Sequence, residues 1–306
     1  MNDITLVSAF FPINREEWTT STRTDEKYFE YFKFWARIKN KLVVYTIPNY
    51  VEIIKNIRRD FGLPEDKTEV IGIPNVFEID PELYNSIKSA ASCEYNRLFR
   101  LRPLSPEVWN AEYDYLMALK TWFVYDAVNR KLCSEQVAWM DFGYNHGGEY
   151  YSNSSEFDRY WNFDTRDKIT IFLLHTIENN ISIVETIRRM DTYIMGSPFI
   201  LPSKKTEWFW LECKNNMLIL NRMGIVDDDQ TLMLMSYLEN KNEFNAIKST
   251  WNNTLKTNGM PQLTVNENFG KSTIKQSVLA ELHRIARVTK YQILWTKELL
   301  KYKEKL

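Results

Sequence analysis

Short apolar runs alternate along this chain with stretches in which apolar side chains return every three or four residues, and the alternation predicts strands and helices in turn. Residues 4–11 form an apolar, β-favouring run that empties into a polar loop at Pro12, Ile13, Asn14 and Arg15. Over 27–38, Tyr28, Tyr31, Phe32, Trp35 and Ile38 recur at helical spacing behind a cap at Thr24 or Asp25, a stripe that reads as core. Residues 42–46 and 68–73 read as the second and third strands, with a helix over 51–61 between them that Gly62 and Pro64 stop. Residues 74–106 read as a helical excursion whose Arg97, Arg100 and Arg102 either meet phosphate or form a solvated surface. A helix over 107–128 then gathers Tyr115, Leu119, Trp122 and Phe123 on one face and offsets Lys120 from it. The run 137–141 is a buried strand that carries Asp141 to its end and breaks into a loop holding Gly143, Gly147 and Gly148.

Beyond that loop the pattern is less regular. Residues 150–167 are polar and aromatic, the composition expected of a mobile loop over a cleft. A strand follows at 168–174, then a short helix or hairpin arm at 181–190. Gly196 and Pro198 punctuate a strand at 193–202 that bends into a binding loop. Helices are predicted over 207–223 and 231–239, and 272–306 forms a helical run with a basic face, which either packs on the domain or docks on an anionic membrane surface. Strands alternating with helices imply parallel pairing and right-handed crossovers. The expected architecture is therefore an α/β fold: a Rossmann-type mixed, mostly parallel sheet flanked by helices over 1–245, and a helical C-terminal extension over 246–306.

Composition narrows the function classes. Lysine and arginine (39) balance aspartate and glutamate (40), so no overall field draws the chain to nucleic acid. The 3 cysteines, Cys93, Cys133 and Cys213, are odd in number and widely spaced, which points to free thiols in a reducing compartment. With neither a basic, apolar leader nor a run of about 20 apolar residues, the expected location is cytoplasmic. The chain lacks the glycine-rich P-loop, the dinucleotide-binding fingerprint and the G-x-S-x-G elbow. Only 3 histidines, His146, His175 and His283, are available for a metal cage.

What remains is an aspartate at a strand end and, further on, Asp227, Asp228 and Asp229 opening a helix. Each has an ordinary reading, a turn for Asp141 and an N-cap for the triplet. Three adjacent carboxylates repel, however, and one suffices for a cap. Together with abundant aromatics, this is the distribution a metal-assisted nucleotide-sugar transferase needs. Asp141 would hold Mg²⁺ or Mn²⁺ on the departing diphosphate, and Asp228 or Asp229 would take the acceptor hydroxyl's proton.

Three runs also resemble the bacterial HtrL/YibB family: Ile4-Thr5-Leu6-Val7-Ser8-Ala9-Phe10-Phe11, Lys27-Tyr28-Phe29-Glu30-Tyr31-Phe32-Lys33-Phe34-Trp35-Ala36, and Trp139-Met140-Asp141-Phe142-Gly143-Tyr144-Asn145-His146-Gly147-Gly148. The resemblance extends to about Asn240. It implies a role in lipopolysaccharide or surface-polysaccharide assembly and a glycosyltransferase-like activity. More broadly the layout is similar to GT-A glycosyltransferases, in which a lysine-bearing helix precedes an Asp-x-Asp strand end and a later Asp-Gln pair opens a helix. Lys120, Asp141 and Asp229-Gln230 fall in that order. The second acid of Asp-x-Asp is replaced by Gly143, which leaves Asp141 with His146 as the metal pair and His283 as an outside choice.

On this likeness Phe10, Phe11, Asn14, Arg15, Tyr45 and Thr46 border the nucleotide. Lys120, Asp141 and Gly143 address the diphosphate, and Asp228, Asp229 and Gln230 face the sugar and acceptor. The expected reaction moves a hexose, galactose or glucose, from a UDP-sugar to a lipid-linked or core oligosaccharide, with possible peripheral contact at the inner membrane. The missing second acid favours an alternative, a catalytically silent carbohydrate- or nucleotide-binding protein of envelope assembly. A metal-dependent phosphodiesterase would want more ligands than the chain offers.

Overall fold

The computed structural model describes residues 4–18, 23–165, 167–178 and 180–270, together with single helical positions between 282 and 300. Strand β1, Ile4–Phe10, leads to helix α1, Asp25–Trp35, whose cap is Thr24: its side chain accepts a hydrogen bond from the Lys27 amide. Next come β2, Leu42–Thr46, α2, Val51–Asp60, and β3, Thr68–Gly72. The helical excursion comprises α3, Pro81–Ala91, and α4, Glu94–Leu98. The long helix expected from 107 is two helices, α5, Pro106–Trp109, and α6, Ala111–Asn129. They part at Asn110, which leaves helical geometry and caps α6 by accepting from the Tyr113 amide.

Strand β4, Gln136–Trp139, is followed by β5, Ile169–Leu173, and α7, Ile183–Arg189, then β6, Phe199–Pro202. Helices α8, Thr206–Arg222, and α9, Asp229–Glu239, precede the last strand, β7, Phe244–Lys248. The seven strands form one mixed sheet in the order β3-β2-β1-β4-β6-β5-β7. All neighbours run parallel except β6, which is antiparallel to both β4 and β5. Strand β7 runs through position 245, the boundary expected from the sequence, and Leu255, Met260 and Leu263 continue the core of the same sheet.

Because both faces of the sheet are covered, its inner strands read as nearly continuous apolar runs rather than as alternations, while the edge strands β3 and β7 carry Glu69, Asn245 and Lys248. Val7, Val43, Val137 and Phe199 face a layer containing α3, α6, α8 and α9, whereas Leu6, Val44, Ala138 and Ile200 face α1, α2 and the segment after β4. That segment differs from the expected mobile loop. Tyr151, Phe157 and Trp161 are fully buried, and Tyr151 pairs with Val265 in an isolated bridge. Aromatic burial thus anchors a stretch whose polar composition suggests a free loop. Arg100 is likewise no surface residue: it is 1% exposed, donates to the Ile187 and Val226 carbonyls and faces Asp227 at 3.4 Å.

Among the described residues no helix is long and apolar enough to cross a membrane. Where the C-terminal run is described, from 282 to 300, its backbone is helical; the remainder of it, including His283, lies outside the described residues.

Candidate functional site

In an open α/β sheet, ligands sit outside the carboxyl ends of the strands where the strand order reverses. Here that point lies between β1 and β4, because the chain builds outward from β1 to β3 and then returns to lay β4 on the other side. A cleft of about 380 Å³ opens there, within the range of small-molecule sites. Phe10 and Phe11 at the end of β1, Asp141 just beyond β4, Lys120 from the middle of α6 and Asp229 from the start of α9 all line it.

The strand that runs backwards contributes its beginning. The β4–β6 register pairs Trp139 with Phe199, and two residues further on it sets Asp141 opposite Ser197, whose Oγ accepts the Asp141 amide at 2.9 Å. Gly196 then lies directly beneath Asp229. A Cβ at this glycine would collide with Asp229 Oδ2, so the close approach requires Gly.

Lys120 is the centre of the site. Its Nζ stands 3.0 Å from Asp141 Oδ1 and 3.0 Å from Asp229 Oδ2, joining the sheet to helix α9. Trp139 Nε1 also donates to Asp141 Oδ1, at 2.7 Å, leaving Oδ2 with no protein hydrogen bond among the described residues. Lys120 and Asp229 are each 4% exposed, while the Asp141 side chain is 40% exposed and opens to the cleft. Burial by itself pushes the Lys120 ammonium down, but Asp141 and Asp229 more than offset this and hold it above its usual range. Burial pushes the Asp229 carboxyl up to about 6, with Lys120 pulling against it and Asp141 adding to it.

The three acids before α9 therefore divide their work. Asp227 accepts from Thr231 Oγ1 at 2.9 Å and faces Arg100, so it is a buried structural ion. Asp228 is the N-cap, accepting the Gln230 amide at 3.1 Å, and lies outside the cleft lining. Asp229 alone enters the cleft, with the Gln230 side chain next to it.

The wall on the β1 side is aromatic. Phe10 stacks on Phe142 at 4.9 Å between centroids and lies 5.2 Å from Tyr28. The Arg15 guanidinium is held 4.9 Å from the Tyr28 ring centre. Gly143 lets this wall close, since a Cβ there would stand 3.0 Å from the Tyr28 ring. Arg23 lines the same cleft and, like Arg15, forms no ion pair among the described residues.

Other residues expected at the nucleotide are elsewhere. Tyr45 is fully buried and donates to Asp126 at 2.8 Å, and Thr46 donates to the Phe10 carbonyl at 2.8 Å. Asn14 sits at φ 49° outside the lining. Conversely, Arg23 and Trp251 line the cleft without any periodic or motif signal, Ser197 does so from the bend between Gly196 and Pro198 that reads as a binding loop, and Tyr28 from a stripe that reads as core.

The fit of the site to a divalent ion is narrow. His146 lines the cleft, but its Nδ1 is 2.6 Å from Glu149 Oε2, and its ring lies between Tyr31 and Tyr150. Among the described residues no group of three His, Cys, Asp or Glu side chains converges on one point. Asp141 Oδ2 suits an ion whose other ligands arrive with a substrate, the way magnesium is held by one carboxylate and the phosphates of its nucleotide.

Escherichia coli (strain K12) Protein HtrL is 29% identical to the chain over 254 residues, covering 79% of this chain and 86% of that relative. A family described as "Bacterial protein of unknown function (HtrL_YibB)" matches residues 2–258, a span that takes in the sheet and every residue placed around the cleft. The chain thus belongs to the HtrL/YibB family.

Proposed function

We propose that the protein is a GT-A-like glycosyltransferase that moves a hexose from a UDP-sugar to a lipopolysaccharide or other surface-polysaccharide acceptor, working at the cytoplasmic face of the inner membrane. The observation that carries this reading is the Asp141–Lys120–Asp229 constellation, 3.0 Å on each side, at the sheet's switch point. The aromatic wall of Phe10, Tyr28 and Phe142 offers a face for the base, and Arg15 and Arg23 offer charge for a diphosphate. A divalent ion held by Asp141 Oδ2 and the phosphates would neutralise the leaving group.

Asp229 has the properties of a general base: it lines the cleft, and a carboxyl poised at about 6 is ionised near neutral pH yet basic enough to accept a hydroxyl proton. Lys120 keeps that carboxylate charged and fixed against the sheet. A second reading, binding without transfer, draws on the same constellation, because Lys120 is fully engaged by its two carboxylates and the Asp-x-Asp second acid is absent.

A panel of nucleotide sugars, with and without Mn²⁺, separates the two. Transfer predicts a melting-temperature rise with one donor and slow hydrolysis of that donor, both abolished in Asp141→Ala. Stabilisation by a sugar or nucleotide with no turnover in any condition would establish the binding reading and sink the transferase.

A further inference from the structure

The opposite end of the strands carries a second cavity, about 210 Å³, at the amino-terminal ends of β1 and β2, about 20 Å from the cleft along a seven-residue strand rising about 3.3 Å per residue. Lys41, Lys67 and Lys131 line it, and no aspartate or glutamate does. None of these lysines forms an ion pair among the described residues; of the nearby acids, Glu65 and Asp158 are engaged by Arg59 at 3.6 Å and Lys39 at 3.2 Å, while Asp66 and Glu135 stand outside the lining. The Cys133 thiol in the wall is pushed up to about 12 by burial, although Lys41 pulls it the other way, so it brings no negative charge. Several cations lining one concave wall, with no acid among them, give it a positive field.

The walls are built rather than loose. Asn40, which lines the cavity, donates to the Ile4 and Trp161 carbonyls at 3.0 and 2.9 Å and accepts the Trp161 amide at 2.7 Å. Behind it the fully buried Arg58 donates through Nη2 to the carbonyls of Asn40 and Lys67, each at 2.9 Å. These bonds fix the backbone from which two of the three lysines project, and they place a further positive charge behind the rim.

From this we propose that the cavity is a binding site for a small phosphate-type anion, either inorganic phosphate or a phosphomonoester. Its volume falls below the roughly 300–1,000 Å³ of drug-sized sites, which suits one phosphate group better than a nucleotide. Lysine, as a compact point charge, suits a phosphate without imposing the planar geometry that arginine would.

The test is calorimetric titration of the full chain with inorganic phosphate and, separately, glucose 1-phosphate, at ionic strength held constant with chloride. Saturable binding is expected, weakened at least tenfold in Lys41→Gln and in Lys131→Gln, and unchanged in Asp141→Asn, which alters the distant cleft. In parallel, mass-spectrometric mapping of lysine acetylation should show phosphate slowing modification of Lys41, Lys67 and Lys131 but not of Lys27. Equal affinity for both ligands would assign recognition to the phosphate alone, and tighter binding of the ester would add a sugar contact. The proposal fails if no saturable binding is seen, or if binding survives Lys41→Gln combined with Lys131→Gln in a variant that melts like the parent. Equal slowing of Lys27 would also overturn it, by showing that the effect is not local to the cavity.

Discussion

Replacing Asp229 with asparagine offers the sharpest test of how the site is balanced, because the change removes a titrating group while leaving an oxygen for Lys120. Unfolded, the Asp229 carboxyl loses its proton near 3.8; folded, burial holds it to about 6. Folding is therefore unpenalised below pH 3.8, and the native state loses stability relative to the unfolded chain as pH climbs from 3.8 through 6, after which the cost is constant. At 1.36 kcal/mol for each tenfold change in proton affinity, the loss between pH 4 and pH 7.5 is about 2–3 kcal/mol. The asparagine side chain has no proton to release, so the stability difference between Asp229→Asn and the parent should shift by that amount in favour of the variant. With an unfolding entropy of about 2.1 cal/mol/K per residue over 306 residues, the melting temperatures should diverge by about 4 °C. Thermal melts of both proteins at half-unit steps of pH measure this directly. A gap that stays constant within 1 °C from pH 4 to 7.5 would refute the buried-carboxylate reasoning. It would also remove the argument that Asp229 is held near neutrality for proton transfer.

Two further substitutions probe the same constellation. Lys120→Met leaves Asp141 and Asp229 facing each other without a counter-charge, and breaking a buried ion pair from one side costs about 3–5 kcal/mol; urea unfolding should register a loss of that size, and an unchanged midpoint would mean that the pair is dispensable. Gly196→Ala drives a methyl into Asp229 Oδ2, so nucleotide-sugar turnover should fall more than tenfold while the far-ultraviolet circular dichroism stays the same. Full activity in that variant would show that Asp229 need not sit against the β6 entry.

Much of the fold is legible in the sequence because burial on two faces leaves a plain trace. The run at residues 42–46 coincides with β2, and the stripe from Tyr28 to Trp35 with α1 behind its Thr24 cap. Asp141, Lys120 and Asp229 are legible too, since a strand end, a lysine off an apolar face and an acidic helix start each leave a local signature. What stays hidden depends on contacts between distant segments. Nothing near Tyr45 reveals that its hydroxyl meets Asp126 on helix α6, packed against the same face of the sheet, so a strand-end tyrosine looks like a ligand contact. Arg100 carries no mark of the carbonyls that surround it, and Asp228 looks equivalent to Asp229 until the helix start assigns one to the cap and the other to the cleft. The 150–165 segment misleads because composition reports its polar residues, while its place is set by the burial of Tyr151, Phe157 and Trp161 and by hydrogen bonds to distant residues such as Asn40 and Thr264.

The reversed strand β6 acts as a ruler. Because it meets β4 head to tail, one pairing, Trp139 with Phe199, fixes Ser197 against the Asp141 amide and Gly196 under Asp229 at the same time. A slip of one residue in either strand exchanges inward and outward faces. It would remove the hydroxyl from the Asp141 amide and the space from the Asp229 carboxylate in a single step. Length changes in the long excursion between the two strands leave that measure intact, so the chain can remodel what surrounds the cleft without recalibrating its centre.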